Sequence, residues 1–327
     1  MFYFAPNLLQ PSNSMSTPSH WLVIVNPNSG TRKGIRDWKD ISHLLVKEGF
    51  AFDARFTEGI GHAIRITQEK ILEGYRRIIV VGGDGTMNEV INGIFSQQAV
   101  PSTEITVAMI PVGTGNDWSR MYGIPAEYHK AVKIIHEEHS VLQDVGVAIY
   151  QNGGTDVPRY FVNAAGIGFD AEVVRKTNND KQHGKGGFLI YLKNLLISLA
   201  GYNAQKVTME VDGNTREGEF FSLSIGICRY TGGGMIQAPN AKPDDGLLDV
   251  TIIRKIGRLE VIRNIPRLFN GTIGKNPHVE LLQGKVVKVS AEKKIYLEAD
   301  GETLGHSPFS FRIIPLAVRT VTARPLQ

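Results

Sequence analysis

The chain has 327 residues, a net charge of +4 and one cysteine. That length accommodates two domains of ordinary size, each with its own core. Hydrophobic residues at 42% and charged residues at 21% exclude a disordered chain. The lone Cys228 excludes an internal disulfide framework and any cysteine-rich zinc site, and it fits a reducing, cytoplasmic compartment.

Residues 1–20 are rich in Pro, Ser and Asn and read as a loose tail. They lack a basic stretch followed by an apolar one, so they do not read as a signal peptide, and Met15 offers a second start. An apolar run at 21–25 then meets Asn26, Pro27, Asn28, Ser29 and Gly30, a strand entering a loop. Ile35, Trp38, Ile41 and Leu45 share one stripe and predict a helix over 35–49. A strand at 52–56, a helix at 62–72 and a β-branched strand at 77–81 follow. That strand stops at Gly82-Gly83-Asp84-Gly85-Thr86, before a helix at 87–95. The strand at 105–110 ends in Pro111-Val112-Gly113-Thr114-Gly115-Asn116-Asp117, and 128–138 reads as a helix. Strands alternating with helices predict an open parallel α/β domain over 21–144.

The pattern changes at 143–146. Short strands at 145–150, 159–164, 206–211, 219–228, 247–254, 285–291, 294–299 and 310–314 are separated by Asn-Gly and Asp-Gly turns. They predict an antiparallel all-β sandwich over 145–310. The helical stretches in it are 188–200 and 259–269. The first is interrupted by Lys193 and Asn194 and is shorter than the ~18 residues of a membrane span. It suits either a core helix or a wall for acyl chains. Cys228 lies in an apolar strand and reads as packed rather than reactive.

Glycine, 35 of 327 residues or about 11%, exceeds the usual share of about 7%. Three glycine loops each follow a strand of the first domain, and such loops meet at the carboxyl edge of a parallel sheet, where ligands bind. Gly82-Gly83 bares the backbone, and the next helix presents its positive end, which favours phosphate. Asp84 within an anion-binding loop makes sense with a Mg²⁺ between it and the phosphate. Asp117 suits either that metal's water network or an N-cap. Arg32 and Lys33 can reach a phosphate or lie solvated. Neither GxxxxGK[ST] nor GxGxxG is present, and the nine histidines show no zinc-ligand spacing. Residues 251–327 hold 13 basic and 6 acidic side chains, a surface that suits anionic lipid or simply a solvated face. No nucleic-acid module accompanies that charge.

The segments 25–30, 80–94 and 110–120, then 161–173, 232–250 and 298–302, together resemble the diacylglycerol kinase catalytic domain family, which includes bacterial soluble lipid kinases and the sphingosine and ceramide kinases. The resemblance runs over nearly the whole chain from residue 21. It implies an ATP- and Mg²⁺-dependent lipid kinase acting on a hydroxyl of diacylglycerol or a related lipid, cytoplasmic and peripherally bound to a membrane. It places ATP on Asn26, Pro27, Asn28, Ser29, Gly30, Thr57, Gly83, Asp84, Gly85, Thr86, Met87, Asn88 and Thr114. It makes Glu302 the catalytic base, and Asp84 serves beside it in the site. It makes Asp245 a Mg²⁺ ligand, with the carbonyls of Lys242 and Leu247, and it returns the strand near 311–323 to the first domain. A kinase for a soluble substrate such as NAD, and a silent nucleotide-binding regulator, are the alternatives. The sequence leaves a homodimer open.

Overall fold

The computed structural model describes residues 20–182 and 188–323. The expected tail thus falls outside the described residues except for His20.

In the first part of the chain β1 (Trp21–Val25) leads to α1 (Ser29–Arg36), α2 (Trp38–Lys47), β2 (Phe52–Phe56), α3 (His62–Leu72) and β3 (Arg77–Gly82). Then come α4 (Asp84–Ser96), β4 (Thr106–Pro111), α5 (Asp117–Met121) and α6 (Tyr128–Glu137). The strands pair in parallel in the order β4-β3-β1-β2. Both faces are covered, so β1 and β3 read as continuous apolar runs rather than alternating ones. Leu22, Ile24, Ile78 and Val80 pack with α3 and α4 through Ile66, Ile71, Met87 and Ile91. Their neighbours Trp21, Val23, Ile79 and Val81 pack on the opposite face with Ile41, Leu45, Val132 and Ile135 of α2 and α6. The single helix expected over 35–49 is two helices, because the chain turns at Asp37, whose carboxylate accepts from Arg36 and Tyr128. Helix α4 begins at Asp84, three residues before the expected start, because Gly83 is extended and ends the strand abruptly.

The second part comprises β5 (Ser140–Asn152), β6 (Thr155–Phe161), β7 (Ala164–Gly168), α7 (Phe169–Gln182), α8 (Phe188–Gly201), β8 (Gln205–Val211) and β9 (Asn214–Gly226). A small hairpin, β10 (Tyr230–Thr231) with β11 (Met235–Ile236), precedes β12 (Leu248–Arg254) and α9 (Arg258–Phe269). Then follow β13 (Val279–Gly284), β14 (Val286–Ala291), β15 (Tyr296–Ala299) and β16 (Glu302–Val321). One layer runs β13-β12-β9-β7-β15 and the other β8-β14-β16-β5-β6. The long strands β9 and β16 pass from layer to layer. β9 pairs with β12 through 220–226, with β7 through 222–226 and with β8 through 214–220.

Strands β5 and β16 form an antiparallel ribbon from His306↔Gln151 to Val321↔Ser140. Its far end joins the first sheet, where Arg319 and Thr320 pair in parallel with Thr106 and Val107 of β4. The pattern change at 143–146 therefore falls inside one continuous strand. Helix α7 was not legible, because its 14 residues carry a weak apolar stripe among Asn, Asp, Glu, Lys and Arg.

Candidate active site

The first glycine loop is built on Asn26. Its amide Nδ2 donates to Thr86 Oγ1 at 2.9 Å, and its Oδ1 accepts from Asn28 N at 3.0 Å. Asn26 and Thr86 thus tie the loops after β1 and β3 together. Gly30 has φ 60°, and a Cβ there would lie 1.8 Å from Val112 O, so only glycine allows the first loop to close on the third. Thr31 and Arg32 continue in the left-handed region (φ 59° and 66°), a strained turn for side-chain-bearing residues. Pro27 lies in this turn, its carbonyl accepting from Ile35 N. A Cβ on Gly83 would meet Gly113 Cα at 3.1 Å and Ser29 Oγ at 3.5 Å. The three loops therefore converge around the N-terminus of α4. Thr57 is buried at the end of β2, its N–H donating to Val25 O at 2.9 Å. Asn28 and Thr114 are exposed on the outer loops.

Two of the residues assigned to ATP turn their side chains inward. Met87 is fully buried in the core. Asn88 is also fully buried; its Nδ2 donates to Asp300 Oδ2 and Tyr160 O, both at 2.9 Å, and Arg159 donates to its Oδ1. Its side chain holds the second domain to α4.

Asp84 Oδ1 accepts from Trp118 N at 2.9 Å, joining α4 to α5. Asp117 does not cap α5; Asn116 occupies that position. The Asp117 carboxylate reaches the second domain and accepts from Gly233 N (2.8 Å) and Gly234 N (2.7 Å). A Cβ on Gly115 would lie 3.1 Å from both Asp84 Oδ2 and Asp117 Oδ2, so the two carboxylates flank one bare stretch of backbone. Burial, and then the neighbouring Asp84 charge, raise the Asp117 pKa. Asn116 Oδ1, which lies against Gly113, is buried with no hydrogen-bond partner among the described residues. An orphaned amide oxygen and two crowded carboxylates are the oxygen donors a hard divalent cation accepts, so this corner fits Mg²⁺.

Glu302 arrives from the other domain. A Cβ on Gly85 would lie 2.5 Å from Glu302 Oε1, so the carboxylate rests on the bare backbone beside Asp84. The β15–β16 turn places it there. Asp300 and Gly301 are both left-handed (φ 49° and 83°), as a tight hairpin turn requires. Asp300 is buried and accepts from Val162 N, Asn163 N, Ala164 N and Asn88 Nδ2 at 2.9–3.1 Å. Burial pushes its carboxyl up to about 6, with these donors pulling the other way. Glu298 Oε2 accepts from Gly301 N at 3.0 Å, and Asn178 of α7 donates to Gly301 O at 2.9 Å. The four donors come from segments more than 130 residues away.

Lys242, Asp245 and Leu247 lie on a separate loop. Lys242 and Asp245 are exposed, and Asp245 Oδ1 accepts from Leu247 N at 3.0 Å. The loop docks on Asp144, whose carboxylate accepts from Gly246 N and Leu316 N, both at 2.7 Å. Among the described residues no three His, Cys, Asp or Glu side chains converge as a ready-made metal cage.

A profile of the diacylglycerol kinase catalytic domain matches residues 20–148, and one of the YegS C-terminal NAD kinase beta sandwich-like domain matches 163–322. A diacylglycerol kinase of Staphylococcus carnosus is 30% identical over 305 residues, 93% of this chain and 95% of that protein. The chain belongs to the diacylglycerol kinase family. It is a lipid kinase of that family, in agreement with the resemblance carried by its glycine loops. A diacylglycerol kinase of Staphylococcus aureus is 32% identical over 289 residues, 88% of each chain. The crystal structure of a putative diacylglycerol kinase from Bacillus anthracis superposes with a TM-score of 0.74 at 27% identity, covering 94% of this chain and 98% of that one. Yeast NADH kinase, at 11% identity and TM-score 0.53, shares the fold alone. Among the described residues no helix is long and apolar enough to cross a membrane.

Proposed function

We propose that this kinase transfers the γ-phosphoryl group of ATP to a hydroxyl of diacylglycerol or a closely related lipid, with Mg²⁺ as cofactor, as a protein peripherally bound to the membrane. One observation carries the reading: the Glu302 carboxylate lies on Gly85 at the start of α4, where three glycine loops meet. A base from one domain thus meets the phosphate loops of the other.

In this reading the loops at 26–30, 83–86 and 113–115 cradle the phosphates, and the positive end of α4 faces their charge. Glu302 accepts the proton of the acceptor hydroxyl while the hydroxyl oxygen attacks the γ-phosphorus. The bond from that phosphorus to the bridging oxygen breaks, and the nucleoside diphosphate leaves. Asp84 and Asp117 would hold the metal, with Asn116 Oδ1 from the adjacent residue. The chemistry a Mg²⁺ held there would supply is neutralisation of phosphate charge. Asp245, with the Lys242 and Leu247 carbonyls, would form a second, structural site that braces the loop on Asp144.

The test is labelled ATP against diacylglycerol, ceramide, sphingosine, phosphatidylglycerol and NAD, the lipids in mixed micelles, with and without a chelator. Label in phosphatidic acid, abolished by the chelator, is the expected result. Label on NAD alone overturns the lipid acceptor, and undiminished turnover in chelator overturns the metal.

A further inference from the structure

Two helices of the second domain share a small core and turn apolar side chains away from it. Helix α8 packs Tyr191, Leu195 and Leu199 toward Phe169, Val173 and Phe221, and α9 packs Val261 and Ile265 on the same cluster. On its outer face α8 carries Leu189 (78% exposed), Leu196 (46%) and Ile197 (49%), with exposed Lys193 among them. Helix α9 has no buried residue; it exposes Leu259 (70%) and Ile262 (45%) beside the exposed Arg258 and Arg263. Single exposed aliphatics are ordinary on a soluble protein. Five on two helices that pack on one cluster, with exposed cations on the same helices, are not. The charge is one-sided: α8 has no acidic residue, and the only one in α9, Glu260, sits 3.6 Å from His278.

The two helices also flank the β10–β11 hairpin. A Cβ on Gly232 would lie 2.7 Å from Tyr191 Oη of α8, and one on Gly271, just past α9, 3.5 Å from Ile236. The same hairpin offers Gly233 N and Gly234 N to Asp117 in the candidate active site. The apolar surface is thus one hairpin away from the phosphate loops.

We propose that the outer faces of α8 and α9 form a membrane-docking surface that inserts Leu189, Leu196, Ile197, Leu259 and Ile262 into the interface of an anionic bilayer. Apolar burial with Arg and Lys at the headgroups is how interfacial helices bind. Exposed helix faces of this composition fit an anionic lipid surface better than a neutral one. The proposal uses the lipid-kinase reading only to explain why the surface lies beside the cleft.

Co-sedimentation of the full chain with phosphatidylglycerol and with phosphatidylcholine vesicles tests it. The wild type sediments with the anionic vesicles, less so as salt rises. Arg258→Gln with Arg263→Gln weakens that partitioning about tenfold to thirtyfold. Leu259→Glu with Ile262→Glu weakens it at least tenfold and raises KM for diacylglycerol in vesicles. Turnover of a short-chain, monomeric diacylglycerol and the thermal melt stay as in the wild type, which separates lost docking from lost folding. Unchanged partitioning of both double variants overturns the proposal. So does a dimer, in analytical ultracentrifugation, that Leu259→Glu with Ile262→Glu dissociates, since the face would then be a contact between copies. Vesicle binding without phosphorylation of any lipid leaves the surface standing and removes the kinase reading instead.

Discussion

Glycine 85 is where the two domains of this kinase are separated only by a missing side chain. Adding one methyl group there sets a carbon 2.5 Å from Glu302 Oε1. Gly85→Ala is therefore expected to displace the carboxylate, lowering kcat while the melting temperature changes by only a few degrees. An unchanged kcat would mean that Glu302 does not work from this position. Glu302→Gln keeps the shape and removes the proton acceptor, for an expected loss of about 10²–10⁴-fold in kcat. A loss under threefold would reassign the base. Asp84→Ala is expected to lower kcat sharply, with the α4–α5 contact through Trp118 N weakened. The loops were legible at this scale, because a glycine run between a strand and a helix has few uses. The inward turn of Met87 and Asn88 was not, since a helix start fixes which residues follow but not which face its neighbours cover.

At the scale of elements, the β15–β16 hairpin is the device that aims the base. Its Asp300 gathers four N–H donors from β6–β7 and α4. Asp300→Ala leaves these buried donors unpaired, each costing about 1–3 kcal/mol in the worst case. A marked fall in melting temperature, together with a larger fall in kcat than in ATP affinity, is expected. Equal melting curves would show that the turn holds Glu302 without this clamp. The Asp300-Gly301 turn was readable from two residues; its clamp was not, because its donors lie far away in sequence. Asp117 teaches the same lesson. Its carboxylate reaches two glycine amides of the other domain, a contact that no local rule indicates.

For the whole molecule, the packing of the second domain buries acids beside the strands that carry Glu302. Burial pushes the Asp170 carboxyl up to about 6 from an ordinary 3.8 and raises that of Glu298 as well. Groups raised in this sense bind their proton more tightly folded than unfolded. Stability is then gained as pH falls through 6 and lost as it rises through the same window. The carboxyls held low, Asp37, Asp53 and Glu280, act only at more acid pH. The melting temperature is expected to be higher at pH 5 than at pH 7, and Asp170→Asn, which keeps the size of the side chain, should flatten that slope. A slope of the opposite sign, or one untouched by the substitution, would remove Asp170 as a contributor.

The parallel α/β half, the β-rich half and the family were legible in the amino-acid order alone. Hydrophobic period and glycine loops are local signals, and phosphate binding demands backbone of a particular kind. Only the folded structure shows that one strand, β5, runs unbroken across the supposed boundary and that the end of β16 pairs with β4 through Arg319 and Thr320. It also decided which carboxylates meet at Gly85 and Gly115. Those are distances between segments up to 217 positions apart, from Gly85 to Glu302. They are fixed by packing two domains on a shared ribbon, which no window of sequence contains.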